Sequence, residues 1–143
     1  MLQLDDRVRR NTDPKLNAKI DEKIEERIRF YSTQTKEKLT ERIHDLDHEW
    51  DLERILITQA SSIGLTSVVL GLTKSKKWFG LSLIVLPMLL LHGVQGWCPP
   101  VPVFRRLGVR TRSEIDCEKF AMKALRGDFD TMTPLAAEEA DKM

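Results

Sequence analysis

Two stretches without formal charge, separated by a short basic link, constrain this chain more than any other feature. Residues 55–73, ILITQASSIGLTSVVLGLT, hold no charged side chain, and residues 78–104, WFGLSLIVLPMLLLHGVQGWCPPVPVF, hold no Lys, Arg, Asp or Glu. A helix needs about 20 mainly apolar residues to cross about 30 Å of hydrocarbon. Residues 55–73 and 78–97 are therefore predicted to be transmembrane spans. A link of only Lys74–Lys77 makes them antiparallel neighbours. Trp78 and Trp97 bracket the second span as an interfacial aromatic belt would. A hairpin buried inside a soluble domain is the competing arrangement, but the flanks are too polar to wrap two apolar helices. The expected fold is all-α: a two-helix membrane hairpin, a long amino-terminal amphipathic helix and a short carboxyl-terminal one.

Whole-chain averages hide this pattern. Mean hydropathy is −0.32, and 23 Lys and Arg against 22 Asp and Glu leave a net charge of +1. That balance argues against a nucleic-acid partner held by bulk charge. The segments are expected to be a charged helical segment over 1–54, the hairpin with its Cys-Pro-Pro turn over 55–104, and a basic segment, amphipathic helix and polar tail over 105–143. The first apolar stretch begins too far along the sequence for a signal peptide.

In the amino-terminal segment, Asp13-Pro14 is a helix start, with Asp as cap and Pro at the first helical position. A helix over 14–51 would be about 57 Å long at about 1.5 Å per residue. Ser32-Thr33-Gln34-Thr35 is its weak point. Ile28, Tyr31, Leu39, Ile43, Leu46 and Trp50, with Thr35 filling one position, recur at about 3.7 residues, one face of a helix close to an eleven-residue repeat. Such a stripe could be a coiled-coil seam with another subunit, a membrane-surface face, or a solvated, frayed helix. The first is preferred, because long isolated helices are only marginally stable. His44 and His48 share a face, but no third metal ligand has motif spacing, so no metal or other cofactor is expected.

In the first span, Ala60 and Gly64 form a small-xxx-small pair that lets helices approach closely. Gly71 and Gly80 flank the turn. Pro87 is expected to kink the second span. His92 near its end is a functional candidate as an ionisable group in a span, although bonding to the first span is the preferred reading. Gly96-Trp97-Cys98-Pro99-Pro100 forces a turn at the membrane boundary. Cys98 is expected to be a reachable but ordinary thiol, without a partner at redox spacing. A pairing with Cys117 stays open, though a cytosolic location would keep both reduced. Beyond it, Thr111-x-x-Glu114 or Ser113-x-x-Asp116 starts a helix over 114–126, with Gly127 as its stop. Arg105, Arg106, Arg110 and Arg112 are placed to meet anionic headgroups beside that helix. Arg126-Gly127-Asp128 is not read as an adhesion motif.

The stretch from about Asp51 to Phe129 resembles the YgaP-like family of small bacterial membrane domains. The likeness rests on the two uncharged spans, the tight turn, Gly96-Trp97-Cys98-Pro99-Pro100 and the Leu107-Gly108 step. It implies a self-associating hairpin in a bacterial inner membrane. The rhodanese domain that some members carry has no counterpart here, so sulfur transfer does not carry over.

The expected function is non-enzymatic: a scaffold or accessory subunit, as a homo-oligomer or within a larger membrane complex. The rivals are a sulfur-handling or redox protein using Cys98, and an oligomeric conduit for small solutes or ions lined by Gln59, Ser62 and Thr66. Both termini are expected in the cytoplasm. Lys36, Lys38, Arg42, Arg54 and the four carboxyl-terminal arginines outnumber Lys74, Lys76 and Lys77 across the bilayer.

Overall fold

A computed structural model describes residues 6–129. Seven α-helices follow in order: α1 (Arg7–Arg10), α2 (Pro14–Tyr31), α3 (Lys36–His48), α4 (Leu52–Thr73), α5 (Phe79–Gln95), α6 (Val101–Arg106) and α7 (Arg112–Arg126). A 3-10 turn, Lys76–Trp78, joins α4 to α5. No strand occurs among the described residues.

Local chemistry explains the boundaries. The Asp13 carboxylate accepts from Lys15 N–H at 2.9 Å, capping α2 behind Pro14. The expected continuous helix over 14–51 is corrected to two helices, α2 and α3, with α4 starting after a second break. The first break falls at the predicted polar patch, where Ser32 and Thr33 hydroxyls turn back onto the carbonyls of Arg29 and Phe30. Such local bonds compete with helix propagation. The second break, at residues 49–51, was not anticipated: Asp51 caps α4 by accepting from Arg54 N–H at 2.8 Å. Two glycines stop helices in the left-handed conformation, Gly108 after α6 (φ 84°) and Gly127 after α7 (φ 91°). Each is followed by the six-to-one hydrogen bond of a Schellman turn, Val109 N–H to Phe104 O and Asp128 N–H to Lys123 O.

The described chain forms two compact units that interleave in sequence, one from 6–21 and 50–113, the other from 22–49 and 114–129. The linear division at residues 54 and 104 does not follow them.

The first unit holds α4 packed on α5, and its residue distribution is inside out. Beyond Leu56, the buried positions on these helices are Gly64, Ser67, Gly71, Ser82 and His92. The outward positions are large and apolar: Leu65 is 68% exposed, Leu72 75%, Leu83 74% and Leu90 69%. At Gly64 a Cβ would lie 3.9 Å from the Leu86 side chain, an ordinary contact that alanine would also make. Gly71 is tighter, because a Cβ would meet the Phe79 ring at 2.9 Å. Ala60, its predicted packing partner, is half-buried. The α5 helix continues through Pro87.

In the second unit, Leu39, Ile43 and Leu46 of α3 are buried with Ile115 and Met122 of α7, and Ile28 and Tyr31 pack against them. The stripe that seemed to require another subunit is therefore covered by the chain's own carboxyl-terminal helix. Trp50 does not belong to it: it lies outside α3, is 49% exposed, and has the Arg54 guanidinium 4.5 Å above its ring. The same packing uses the apolar face of α7 expected on a lipid surface. Glu118 is fully buried at its flank and accepts from Arg42 at 2.8 and 3.0 Å, with Arg27 at 3.7 Å. Lys119 pairs with Asp47. Arg126 forks onto Asp128 across Gly127, so that tripeptide is internally engaged.

Candidate functional site

The best-formed hollow of the first unit lies where α5 ends. Gly96 adopts φ 74°, and its N–H donates to His92 O at 2.7 Å. A Cβ on Gly96 would sit 2.6 Å from Arg7 Cβ and 2.8 Å from its carbonyl carbon. This residue therefore must be glycine twice over, for its backbone angle and for the approach of α1. Arg7 and Asn11 then donate side-chain hydrogen bonds to Gly93 O and Gln95 O. Those carbonyls belong to the last turn of α5, which has no helical partners of its own. The short helix α1, invisible to sequence periodicity, is in effect the cap of α5.

Further bonds hold this cap. Asp6 accepts from Val8 N–H at 2.8 Å and from Ser113 Oγ at 2.6 Å. Burial alone would raise the Asp6 pKa, but hydrogen bonds from Ser113, Thr111 and the α1 backbone outweigh it and hold the carboxyl below its usual value. Arg9 and Asp21 form a buried fork at 2.9 Å for each contact. Asn17 donates to Arg9 O and accepts from Arg105 at 2.8 Å.

Two of the four expected surface arginines are thereby corrected. Arg105 is 1% exposed and donates to Asn17 and to Val109 O, and Arg110 is 3% exposed. The Arg105 guanidinium satisfies polar groups inside the unit, and both residues are buried rather than exposed at the surface. Arg106 and Arg112 are exposed as expected.

Cys98 is corrected as well. It is 7% exposed, packed with Val8, Leu52, Leu56 and Val101, because the turn at Gly96 folds it beneath α1. Burial pushes its thiol pKa up. It is thus largely covered and not a ready thiolate. Neither Cys98 nor Cys117 is in a disulfide.

Beside Cys98 lies a cavity of about 110 Å³, bounded by Leu56, Gln59 and Ile63 of α4, Met88 and His92 of α5, and Cys98 itself. Ala60 also reaches its wall. His92 is 6% exposed, and its Nδ1 has no hydrogen-bond partner. The expected bond from His92 to the first span is not made by that nitrogen. Of the polar positions suggested for a conduit, Gln59 faces this cavity, whereas Ser62 donates to Thr58 O of its own helix. Ser62 and Thr66 instead line a separate, open groove.

The two histidines of α3 stack at 4.4 Å between ring centroids, with His48 Nδ1 2.9 Å from His44 O. Among the described residues, no three His, Cys, Asp or Glu side chains converge as a metal site would require.

The class defined by this architecture is an all-helical protein with two helices long and apolar enough to cross a membrane. No family model matches the chain, and no curated protein or solved structure matches it.

Proposed function

We propose that this protein is a bacterial inner-membrane hairpin without catalytic activity, serving as a scaffold or accessory subunit of a membrane assembly. The observation that carries the proposal is the inside-out hairpin. Leu65, Leu72, Leu83 and Leu90 face outward while Gly64, Ser67 and Ser82 lie between the helices. Water would penalise that outer surface by about 25 cal/mol per Å², whereas lipid would not. Small residues at the helix contact and hydroxyls bonding across it are what association in lipid favours. The likeness to YgaP-like domains over residues 51–129 agrees with this reading.

The scaffold role draws on the second unit. Its stripe is covered, so a partner would meet Phe30 (59% exposed), Phe120 (58%) and Leu125 (41%) instead. Of the four arginines of the basic segment, Arg106 and Arg112 are exposed. The balance of Lys and Arg favours cytoplasmic termini. A sulfur-handling role loses support from the burial and raised pKa of Cys98.

The test has two parts. Alkaline carbonate should leave the protein in the membrane pellet, and release to the supernatant would overturn the hairpin. In native mass spectrometry from mild detergent, the wild type should appear as an assembly, and Phe30→Ser with Phe120→Ser should reduce its size. A wild type that flies as a monomer would overturn the scaffold role. Reporter fusions at residue 75 and at the carboxyl terminus would decide orientation.

A further inference from the structure

We propose that the cavity at the end of α5 is a binding site for a soft monovalent metal ion, Cu(I), with Met88, His92 and Cys98 as its ligands. These three side chains bound the same cavity of about 110 Å³. Met88 and His92 lie four residues apart on α5, so they share one face of that helix. The left-handed Gly96 returns the chain so that Cys98 joins them. The site holds a thioether, an imidazole and a thiol. Thioether and thiolate sulfur select Cu(I) over harder ions, and imidazole is a common copper ligand.

The state of His92 points independently to a ligand. The residue is only 6% exposed, and its Nδ1 is without a partner. A buried nitrogen left unbonded costs free energy that coordination would recover. Coordination through Nδ1 uses the neutral ring, with its proton on Nε2.

Charge selects among metals. Binding breaks the S–H bond of Cys98 and forms a Cu–S bond, and the proton leaves to water. A thiolate with Cu(I) is neutral, as are the thioether and imidazole. The complex therefore carries no net charge into walls made by Leu56 and Ile63. A divalent ion with the same ligands would keep one uncompensated positive charge in an apolar cavity, which is strongly disfavoured. Zinc also takes four nitrogen, sulfur or oxygen ligands, and no three His, Cys, Asp or Glu converge among the described residues. The site is independent of the scaffold role.

The full chain in detergent, reduced and anaerobic, can be titrated with Cu(I) in competition with a coloured Cu(I) chelator. One Cu(I) should bind per chain. Cys98→Ser should weaken binding by more than the roughly 10–100-fold that loss of an outer-shell partner costs. Met88→Leu, which keeps side-chain volume, should weaken it measurably while leaving the helical signal unchanged. Cys117→Ser should bind as the wild type does. X-ray absorption of the loaded wild type should show both sulfur and nitrogen neighbours. The proposal is overturned if the wild type binds no Cu(I), if Met88→Leu binds as wild type, if binding is lost with Cys117, or if the copper has sulfur neighbours only.

Discussion

Ser67 of α4 and Ser82 of α5 hydrogen-bond to each other between the helices, and both hydroxyls also reach the carbonyl oxygen of Gly64, at 3.0 and 3.3 Å. Gly64 supplies the carbonyl that the two serines share. Replacing each by Ala, singly and together, should reveal a coupling of about 0.6 kcal/mol, the average for such bonds between membrane helices. Reversible unfolding in mixed micelles would measure it. Strict additivity would mean that the pair contributes nothing to hairpin association.

Gly96 and Gly80 should respond oppositely to alanine. At Gly96 the positive φ and the Arg7 backbone both oppose a Cβ. Gly96→Ala should cost more than the roughly 1 kcal/mol of a strained backbone alone and should release α1 to proteolysis. At Gly80 nothing lies within 4 Å of a Cβ. Gly80→Ala should be neutral or stabilising by up to about 1 kcal/mol, from helix propensity. Thermal unfolding and limited trypsin digestion of the two variants would check the contrast.

Glu118 has no exposed side-chain surface and meets Arg42 and Arg27. Glu118→Ala removes one partner of a buried ion pair, which costs about 3–5 kcal/mol where both charges are fully buried. Arg42 keeps 17% of its side-chain surface exposed, so a loss toward the lower end is expected. Leu46→Ala, fully buried in the same unit, should cost about 2–5 kcal/mol. Hydrogen exchange should show both effects in α3 and α7. Unchanged protection there would contradict the packing of the stripe within the chain.

Asp6 makes the α1 cap sensitive to acid. Its carboxyl pKa is lower when folded than its ordinary value of 3.8. The stabilisation it gives is therefore present above that ordinary value and is lost as pH falls through the lower folded value. Protection of α1 amides should be flat from pH 7 to about 5 and fall below about pH 4. Asp6→Asn should remove this acid dependence, and an unaltered profile would count against the carboxylate as the anchor.

The elements most legible in the sequence were those defined by absent charge or by turn residues. Charge gaps marked α4 and α5, Asp13-Pro14 started α2, Ser32–Thr35 interrupted the amino-terminal helix, and Gly127 ended α7. What stayed hidden depends on contacts distant in sequence. The stripe of Leu39, Ile43 and Leu46 shows periodicity, but its cover lies some 70 residues later in Ile115 and Met122. Arg105 and Arg110 carry the composition of a basic surface but are buried, Arg105 because Asn17 and Val109 accept from it. The four residues of α1 are too few for any periodic signal. In the cavity, Met88 and His92 share a face of α5 and meet Cys98 only through the positive φ of Gly96, a convergence that spacing along the sequence does not announce.

The most direct test of the hairpin asks what surrounds its outer face. Nitroxide labels can be placed singly at positions 65, 83 and 90, and at exposed position 41 of α3 as a control, in protein carrying Cys98→Ala and Cys117→Ala. In lipid bilayers, labels at 65, 83 and 90 should relax with membrane-dissolved oxygen and be shielded from a water-soluble nickel chelate, while the label at 41 does the reverse. Nickel access at 83 and 90 equal to that at 41 would contradict a membrane-spanning hairpin.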